Sequence, residues 1–404
     1  MLYAANPPLD VHRGAGQEIV IIIGAGASGL MCAIESGRRG RKVLLLEHAE
    51  KVGRKILISG GGRCNFTNLD AKPECFLSDN PHFSRSALTR YTPNDFIRLM
   101  EKHKIKYREK KFGQLFCDGN SKEIVSMLLK ECKEAGVEIL VNCKVSAVKK
   151  EGRFSVSTNL GEFISNSLVI ATGGVSIPEM GASDFGYKIA EQFGLKVTEI
   201  KPGLVPLTWN QPDSKLYGEL SGVSIDSIVR CGKISFRENI LFTHKGLSGP
   251  AILQISSYWK KGEPLVINLL PDIKIDEALN EKKLTSKVNL DNFLSIYLPR
   301  RFSEKWCHIY FKSKPVNRLT EKEISVIAGK LHGWPVMPAG TEGFAKAEVS
   351  KGGIDTDELS SKTMECRKVK GLYFIGEVLD VTGWLGGYNL QWAWSSGQAA
   401  GQYV

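Results

Sequence analysis

A strand, a glycine-rich turn and a helix follow one another early in the sequence, and this order constrains the fold more than any other feature. The apolar residues Ile19 to Ile23 fit a buried strand, Ser28 to Arg39 can form a helix, and Lys42 to Glu47 is a second apolar strand. Two strands joined by a helix within about 30 residues form a βαβ unit, which implies a parallel sheet. The sequence therefore predicts an α/β fold.

The turn has the spacing G-x-G-x-x-G of a dinucleotide-binding site. Gly24 allows a tight turn, Gly26 lets backbone N–H groups approach a pyrophosphate, and Gly29 lets the helix pack closely on the strand. Glu47 follows Gly24 by 23 residues, where an acid can accept hydrogen bonds from an adenosine ribose. We favour a dinucleotide site over a structural turn because strand, helix and acid agree, but the pattern does not separate NAD from FAD. The predicted phosphate-binding backbone comprises Gly24, Gly26, Ala27, Ser28 and Gly29.

Further glycine-rich segments favour a flavin. Residues 54–65, RKILISGGGRCN, combine three successive glycines with three cations, and exposed amides with positive charge suit a diphosphate and a ring edge. A solvated basic loop is the alternative. Thr172 and Gly173 close another apolar strand, and residues 371–377 form an apolar strand that ends in glycine and an acid. Gly383 to Gln391 opens the last helix, whose N-terminus would stabilise negative charge on a reduced flavin.

The alternation of strands and helices typical of an α/β domain stops near residue 200 and resumes near residue 340, which indicates an inserted domain. We predict a flexible leader at 1–18, the first part of an FAD-binding domain at 19–200 and its second part at 341–404. Residues 201–340 would form an inserted substrate or cap domain, β-rich and then helical. The predicted fold class is α/β, a discontinuous Rossmann-like FAD-binding domain with an inserted β-rich domain and a small helical cap. The 404 residues exceed the roughly 250–300 of a single core, which agrees with two or three units.

Charge and cysteine content limit the class of protein. Lys and Arg outnumber Asp and Glu by 54 to 43, but they are scattered along the sequence and no RNA-binding motif is recognised. Nine cysteines without a Cys-x-x-Cys argue against a disulfide scaffold or zinc ribbon and fit mostly buried thiols in a reducing cytoplasm. No His or Cys spacing indicates a metal site. No apolar run approaches the roughly 20 residues of a membrane helix, and residues 1–18 do not resemble a signal peptide.

These segments, together with Leu241 to Ser256 (LFTHKGLSGPAILQIS) and Gly371 to Gly401, closely resemble a bacterial flavoprotein family. Its members are described as BaiN/YhiN-like, or as aminoacetone-oxidase-family NAD(P)/FAD-dependent oxidoreductases. The resemblance spans nearly the whole chain after residue 18 and implies FAD, held non-covalently by a domain built from both chain ends. Val145 is added because flavoproteins of this type contact the adenine through the strand after the first long helix. The residues that the resemblance assigns to FAD are Gly24, Gly26, Ser28, Gly29, Glu47, Arg54, Lys55, Ser59, Gly60, Gly61, Gly62, Arg63, Cys64, Asn65, Thr172, Gly173, Gly376, Glu377, Gly387, Tyr388 and Asn389.

The expected chemistry is a hydride transfer between flavin N5 and a small organic molecule, with a protein group as acid or base. His244 is the first catalytic candidate, although a lone histidine is more often structural, and Lys351 and Tyr388 are the others. NAD(P)H is a candidate electron donor, although no second nucleotide fingerprint follows. Two other functions stay open: a flavoprotein linked to RNA modification, and a redox sensor that holds FAD without turnover. The expected partner is a small-molecule substrate, with neither a membrane nor a nucleic acid.

Overall fold

The computed structural model describes residues 19–404, and the leader predicted at 1–18 lies outside them. The described chain divides into two compact units. The first unit comprises residues 19–201 and Val349–Val404, and the second comprises Pro202–Glu348. Within the described chain, no helix combines the length and the apolar character that a membrane crossing requires. The first unit is therefore built from two separated stretches of sequence.

Short strands and helices alternate along most of the described chain. The strands are β1 (Ile19–Ile23), β2 (Lys42–Leu46), β3 (Asn65–Asn68), β4 (Phe76–Leu77), β5 (Tyr107–Glu109), β6 (Gln114–Cys117), β7 (Glu138–Leu140), β8 (Val145–Glu151), β9 (Arg153–Thr158), β10 (Gly161–Ser165), β11 (Ser167–Ile170), β12 (Lys201–Gly203), β13 (Leu207–Thr208), β14 (Ser224–Cys231), β15 (Ile234–Phe242), β16 (Gly246–Ser248), β17 (Leu265–Asn268), β18 (Trp334–Val336), β19 (Gly340–Thr341), β20 (Val349–Lys351), β21 (Leu372–Phe374) and β22 (Thr382–Gly383). The helices are α1 (Ala27–Arg38), α2 (Arg54–Ile58), α3 (Arg85–Arg90), α4 (Pro93–Lys102), α5 (Ser121–Glu134), α6 (Phe185–Gln192), α7 (Gln211–Tyr217), α8 (Pro250–Ser256), α9 (Ile275–Lys282), α10 (Leu290–Leu294), α11 (Arg300–Tyr310), α12 (Glu321–His332) and α13 (Tyr388–Gly401).

A five-stranded parallel sheet in the order β21–β11–β1–β2–β7 lies at the centre of the first unit. In the middle strand, Ile21 pairs with Leu168 on one side and with Leu44 on the other. The strands β1, β2 and β11 are short apolar runs with mostly buried side chains, as is typical of parallel strands covered on both faces. Because β21 comes from the C-terminal stretch, both parts of the unit meet in one sheet. The predicted α/β fold with a parallel sheet is confirmed.

Helices α1 and α13 approach closely because glycines remove the side chains at their contact. A Cβ on Gly397 would lie 2.4 Å from Ser28 O, and one on Gly401 would lie 2.6 Å from Glu35 Cβ. The two contacts occur in the same order along both helices, so the helices run in the same sense. Helix α13 begins nine residues before Gly397 and α1 begins one residue before Ser28, so the N-terminus of α13 projects about 12 Å beyond the start of α1.

The buried carboxylate of Glu131 ties three helical segments of the first unit together. Glu131 lies on α5 and accepts hydrogen bonds from Lys102 Nζ (2.7 Å) at the end of α4, from His103 Nε2 (2.5 Å) and from Arg38 of α1. Burial alone would raise the pKa of Glu131, but these three partners outweigh it and lower the pKa to about 2. The carboxylate of Glu131 is therefore ionised at neutral pH and clamps the helices at one point.

The second unit contains a seven-stranded sheet in the order β18–β17–β14–β15–β16–β13–β19, and all its pairings are antiparallel. Buried and exposed side chains alternate along β14 and along most of β15, so one face of the sheet is covered. An aromatic cluster fills that core: Trp334 lies 6.0 Å from Phe242 and 5.3 Å from Trp306 between ring centroids. The unit is thus β-rich first and helical in its second half.

Two predictions of local structure are wrong. The glycine content of residues 50–70 predicts irregular structure, yet this stretch contains α2, a 3-10 turn at Ser59–Gly62 and β3. Gly60, Gly61 and Gly62 lie in the 3-10 turn and Gly53 directly precedes α2, which are positions where left-handed backbone is needed. Residues 203–240 predict short strands with turn residues between them, but α7 lies among them. Its start is stabilised by Asn210 Oδ1, which accepts a hydrogen bond from Asp213 N (2.8 Å).

Candidate functional site

Two of the three glycines of the glycine-rich motif between β1 and α1 pack against backbone atoms, and the third faces open space. A Cβ on Gly24 would lie 2.5 Å from Ala171 O, and one on Gly29 would lie 1.9 Å from Gly24 O, so neither position accommodates a side chain. At Gly26 no atom lies within 4 Å of the same position. The open space at the helix N-terminus suits the approach of a pyrophosphate.

Glu47, directly after β2, holds this turn in place. Its Oε2 accepts a hydrogen bond from Ala25 N (2.9 Å), and its Oε1 accepts one from Ala49 N (2.9 Å). The ring nitrogen Nδ1 of His48 lies 3.0 Å from the same Oε1. Burial would raise the pKa of Glu47, but hydrogen bonds from His48 and the two amides outweigh burial and lower it. Glu47 is therefore an anion that orders the turn as well as a candidate ribose contact.

Val145, the predicted adenine contact, opens β8 close to Glu47. Two residues earlier, Cys143 N donates a hydrogen bond to Glu47 O (2.9 Å). Val145 pairs with Thr158, and the register of the two strands shifts directly after this pair. The structure thus brings this strand to the end of the site where the acid lies, and the adenine contact stays a prediction.

The loop Ser59–Gly62 forms a 3-10 turn with left-handed glycines. Gly60, Gly61 and Gly62 have φ of 57°, 67° and 84°, where an L side chain is disfavoured. A Cβ on Gly60 would lie 2.7 Å from Asn65 N, whereas nothing lies within 4 Å of that position at the other two glycines. Two of the three glycines therefore present bare backbone to open space, as a loop that approaches a diphosphate or ring edge requires.

The cysteine in this loop is a packing residue. Cys64 is fully buried, and burial raises the pKa of its thiol to about 12, so it stays protonated and unreactive. All nine cysteines are free and buried, which confirms the expectation of mostly buried thiols. Within residues 19–404, no group of three or more His, Cys, Asp or Glu is arranged to hold a metal ion. Of the loop's cations, Arg63 is exposed, and Arg54 donates to Glu179 O (3.4 Å).

The start of α13 is fixed against β3, which follows the glycine loop. A Cβ on Gly387 would lie 2.3 Å from Thr67 O, and Thr67 Oγ1 donates to Gln391 Oε1 (2.5 Å). Asn68 Nδ2 donates to Gly386 O (2.9 Å). The glycine loop and the N-terminus of the last helix, two segments predicted to contact the flavin, therefore lie side by side. The partial positive charge of that helix end faces the same region.

Tyr388 and Asn389 have partners inside the protein. Asn389 Oδ1 accepts a hydrogen bond from Gly383 N (2.8 Å), and its Nδ2 donates to Gly383 O (2.9 Å), so this side chain shapes the turn before α13. Tyr388 is buried edge-on against Phe76, with 6.1 Å between the ring centroids. Burial raises the pKa of the Tyr388 phenol, which makes it a poor proton donor near neutral pH.

Lys55 and Glu377, predicted for the diphosphate and the ribityl chain, bind each other. Lys55 Nζ lies 2.9 Å from Glu377 Oε2 and 2.8 Å from Ser176 Oγ. Glu377 Oε1 accepts hydrogen bonds from Ser176 Oγ (3.1 Å) and Ser350 N (2.9 Å). Neither serine is predicted from the sequence as part of the site. The only sequence pattern near each of them is a pair of glycines. The carboxylate of Glu377 already pairs with the ammonium group of Lys55, so a contact between Lys55 and a phosphate stays a prediction.

The segment after β11 contains an unsatisfied polar group. Thr172 Oγ1 is buried and has no hydrogen-bond partner among the described residues. Gly173 beside it has φ 73° and no atom within 4 Å of a Cβ position. A Cβ on Gly376 would lie 2.5 Å from Ser28 Oγ, so the glycine–acid segment after β21 packs against the start of α1. A polar cofactor would satisfy the orphaned hydroxyl beside an open backbone.

The predicted cofactor residues gather at one edge of the parallel sheet. Gly24, Glu47, Thr172 and Gly376 follow β1, β2, β11 and β21, and the carboxyl ends of parallel strands share an edge. Open backbone, a helix N-terminus, an orphaned hydroxyl and an ordered carboxylate meet there. The residues present therefore fit a dinucleotide cofactor such as FAD.

The other two catalytic candidates lie in different units. His244 is exposed in the second unit, in the turn between β15 and β16, where Gly246 N donates to Thr243 Oγ1 (3.0 Å). Lys351 is half-buried at the end of β20 in the first unit. Burial raises the pKa of the Asp380 carboxyl, and the charge of Lys351 acts against that rise. The catalytic roles of both residues stay predictions.

Comparison with known proteins identifies the family and the relatives to which this chain is similar. The family of the HI0933-like protein Rossmann domain matches residues 18–403. A ribosomal RNA dihydrouridine synthase of Escherichia coli K12 is 51% identical over 387 residues, 95% of this chain and 96% of the relative. A ribosomal RNA dihydrouridine synthase of Haemophilus influenzae is 47% identical over 388 residues, 94% and 96% of the two chains. A 3-dehydro-bile acid delta(4,6)-reductase of Clostridium scindens is 28% identical over 408 residues, 94% and 97% of the two chains.

Proposed function

The chain belongs to the HI0933-like family and is an FAD-dependent oxidoreductase, and from this premise we propose that it reduces a uracil base of ribosomal RNA to dihydrouracil. The observation that carries the proposal is the 51% identity, over almost the full length of both chains, to a ribosomal RNA dihydrouridine synthase. A second relative of the same name is 47% identical. The substrate is therefore a nucleic acid in this proposal, instead of the small molecule that the sequence predicts.

The two kinds of relative share one type of reaction. A bile acid delta(4,6)-reductase acts, by its name, on double bonds conjugated with a 3-oxo group. The C5–C6 double bond of uracil is likewise conjugated with its C4 carbonyl. Bound FAD, once reduced, would supply a hydride to C6, and an acid must add the proton at C5. The proposed activity is thus the conjugate reduction of an unsaturated carbonyl system.

The first unit supplies the electrostatics for this reaction. Gly26 and the start of α1 would hold the diphosphate, and Glu47 orders the turn that presents them. The N-terminus of α13 projects about 12 Å further and would stabilise negative charge at the distal end of the cofactor. Asn68 and Thr67 fix that helix end, so its amides are preorganised.

The proton for C5 requires a side chain that can release it near neutral pH. Tyr388 is disfavoured because burial raises its pKa. His244 is exposed, and imidazole is the side chain best suited to proton transfer at pH 7. His244 and Lys351 therefore remain the candidates for the acid within this proposal, and NADH or NADPH is the candidate electron donor.

The test is product formation on unmodified RNA. The FAD-loaded protein would be reduced anaerobically with dithionite, NADH or NADPH and mixed with ribosomal RNA transcribed in vitro. Mass spectrometry of the digested nucleosides should reveal dihydrouridine, two hydrogens heavier than uridine. Transfer RNA transcripts serve as the specificity control. If the reduced flavin is reoxidised by a conjugated steroid ketone but never by ribosomal RNA, the proposed substrate is wrong and the small-molecule prediction returns.

A further inference from the structure

We propose that one β-hairpin of the first unit, residues 104–117, is the docking surface for single-stranded RNA beside the flavin site. We name it the basic hairpin; it contains β5, β6 and the turn between them. The proposal deepens the proposed function and rests on it, because it names the surface that would hold the substrate. The cations are predicted from the sequence to be scattered, yet five of them stand within residues 104–111.

The basic hairpin carries a high density of positive charge. Residues 104–111, KIKYREKK, contain five cations and a single acid, Glu109. All five cationic side chains are exposed. Arg108 lies 3.7 Å from Asp118, a distance at which an exposed ion pair only partly neutralises it. Such a local excess of cations is the electrostatic signature of a phosphate-binding surface.

The cations share one face of the hairpin with an aromatic ring. Arg108 lies on β5, and Lys106 and Lys110 directly flank this strand, so the alternation of an extended chain puts the three side chains on one face of the hairpin. Arg108 pairs with Phe116 on β6, and Lys110 Nζ lies 5.5 Å from the Phe116 ring centroid. A Cβ on Gly60 would lie 2.9 Å from that ring, so this face borders the glycine loop of the proposed flavin site.

An exposed phenylalanine occupies the tip of the hairpin. Phe112 is 61% exposed and adopts φ 52°, a left-handed conformation that costs a bulky L residue free energy. Lys111 Nζ lies 5.3 Å from its ring centroid. An exposed apolar ring in a strained backbone contributes nothing evident to folding. Flanked by cations, it matches the aromatic platforms on which unpaired bases stack in single-strand binding proteins.

Contacts of the backbone fix this tip beside the start of α13. Asn68 Nδ2 donates to both Phe112 O (3.0 Å) and Gly386 O (2.9 Å). A Cβ on Gly386 would lie 2.8 Å from the Gln114 side chain. The same asparagine therefore ties the Phe112 tip to the helix end proposed for the flavin. A base stacked on Phe112 would lie next to the reaction centre.

Single-stranded RNA fits this surface better than a duplex. The bases of a duplex are stacked on one another, so a ring such as Phe112 has no free base face to contact. Uracil reduction by a flavin also requires the base to leave any helix, since both faces of a paired base are covered by its neighbours. An acidic protein would match the cations but would leave the exposed ring unexplained.

The experiment compares matched variants of the FAD-loaded protein. Binding of a fluorescein-labelled, mixed-sequence RNA 20-mer, single-stranded or annealed, would be measured by anisotropy over a range of KCl concentrations. Charge reversal at the hairpin, Lys106→Glu with Lys110→Glu, is compared with reversal of two exposed lysines elsewhere in the unit, Lys133→Glu with Lys149→Glu. Phe112→Ala is compared with Leu160→Ala, an exposed apolar residue in another turn. FAD content reports whether each variant folds.

We expect Phe112→Ala to weaken single-strand binding roughly 5- to 100-fold, as loss of one stacked base predicts, with Phe112→Trp near wild type. The hairpin reversal should lower the slope of log K against log salt by about 1.4, because two phosphate contacts are lost. The control variants should match wild type. Binding of all variants equal to wild type overturns the docking surface, and so does equal binding of duplex and single strand.

Product formation separates this inference from the proposed function. In dihydrouridine formation, the hairpin variants should raise KM while kcat stays near wild type, because the RNA still reaches the flavin at saturation. Variants that form dihydrouridine with an unchanged KM overturn the docking surface and leave the proposed function standing. RNA binding that depends on the hairpin, with no dihydrouridine formed by any protein, overturns the proposed function and leaves the docking surface standing.

Discussion

At the scale of single residues, Glu47 combines order in the turn with a predicted contact to the cofactor. Both of its carboxylate oxygens accept hydrogen bonds from backbone N–H groups, and one of these donors, Ala25, belongs to the glycine-rich turn itself. Glu47→Gln would place an amide N–H₂ against one of these N–H groups. Because hydrogen bonds to charged groups contribute about 1.5–3 kcal/mol, we expect FAD affinity to fall roughly 10- to 100-fold. Flavin fluorescence titration measures it, with the exposed Glu50→Gln as the control.

His244 is one candidate for the proposed proton transfer, and its substitution tests that role. If its imidazole adds the proton at C5, His244→Gln should slow single-turnover reoxidation of reduced flavin by RNA about 10²- to 10⁴-fold, with RNA affinity unchanged. The exposed His308→Gln in the same unit is the matched control. A His244 variant that reacts as fast as wild type would remove the histidine from the mechanism and direct attention to Lys351.

At the scale of elements, the close approach of α1 and α13 sets the distance between the two ends of the proposed cofactor site. A methyl group on Gly397 would lie 2.4 Å from Ser28 O, so Gly397→Ala must push the helices apart. We expect a lower melting temperature together with weaker FAD binding. Gly329→Ala in α12 meets nothing within 4 Å and should instead stabilise the protein by up to about 1 kcal/mol. Calorimetry with and without FAD compares the two.

The helical clamp at Glu131 gives stability a defined pH dependence. Its partners lower the folded-state pKa to about 2, below the ordinary 4.5, so its contribution is complete above about pH 5 and is lost as pH falls toward 2. Glu131→Gln leaves Arg38 and Lys102, both partly exposed, without their buried partner and should cost about 1.5–3 kcal/mol at pH 7. Urea titrations at pH 7, 5 and 3 should find the difference between the variant and wild type shrinking at the lowest pH.

Comparison of individual elements shows which parts of the fold and of the site could be predicted from the sequence. The segment from β1 to β2 was predictable because its glycine spacing, apolar runs and acid each have a separate physical reason. The bond between Lys55 and Glu377 was not, since 322 residues separate them and either charge alone suits a cofactor contact. The basic hairpin was missed for a related reason. Its five cations stand within eight consecutive residues, but only strand pairing shows that Arg108 lies opposite Phe116.

At the scale of the whole molecule, the two-part first unit holds every residue assigned to FAD, whereas His244 lies in the second unit. The basic hairpin also belongs to the first unit, so cofactor and RNA would engage the same compact body. The net charge of +11 gives attraction to RNA at long range, but the docking itself depends on where that charge is concentrated. In these proposals the basic hairpin attracts and holds the RNA, and the residues assigned to FAD form the site of the reduction.

Because ligand binding stabilises only the body that binds it, FAD should protect the first unit from hydrogen exchange. At a free FAD concentration of about 100 Kd, linkage adds about 2.7 kcal/mol, which slows exchange roughly 100-fold for amides that open only by global unfolding of the unit. The buried amides of β1, β2 and β11 should report this change by mass spectrometry, with β14 and β15 as the internal reference. Protection of β14 and β15 without protection of β1 would contradict the placement of the cofactor at the edge of the parallel sheet.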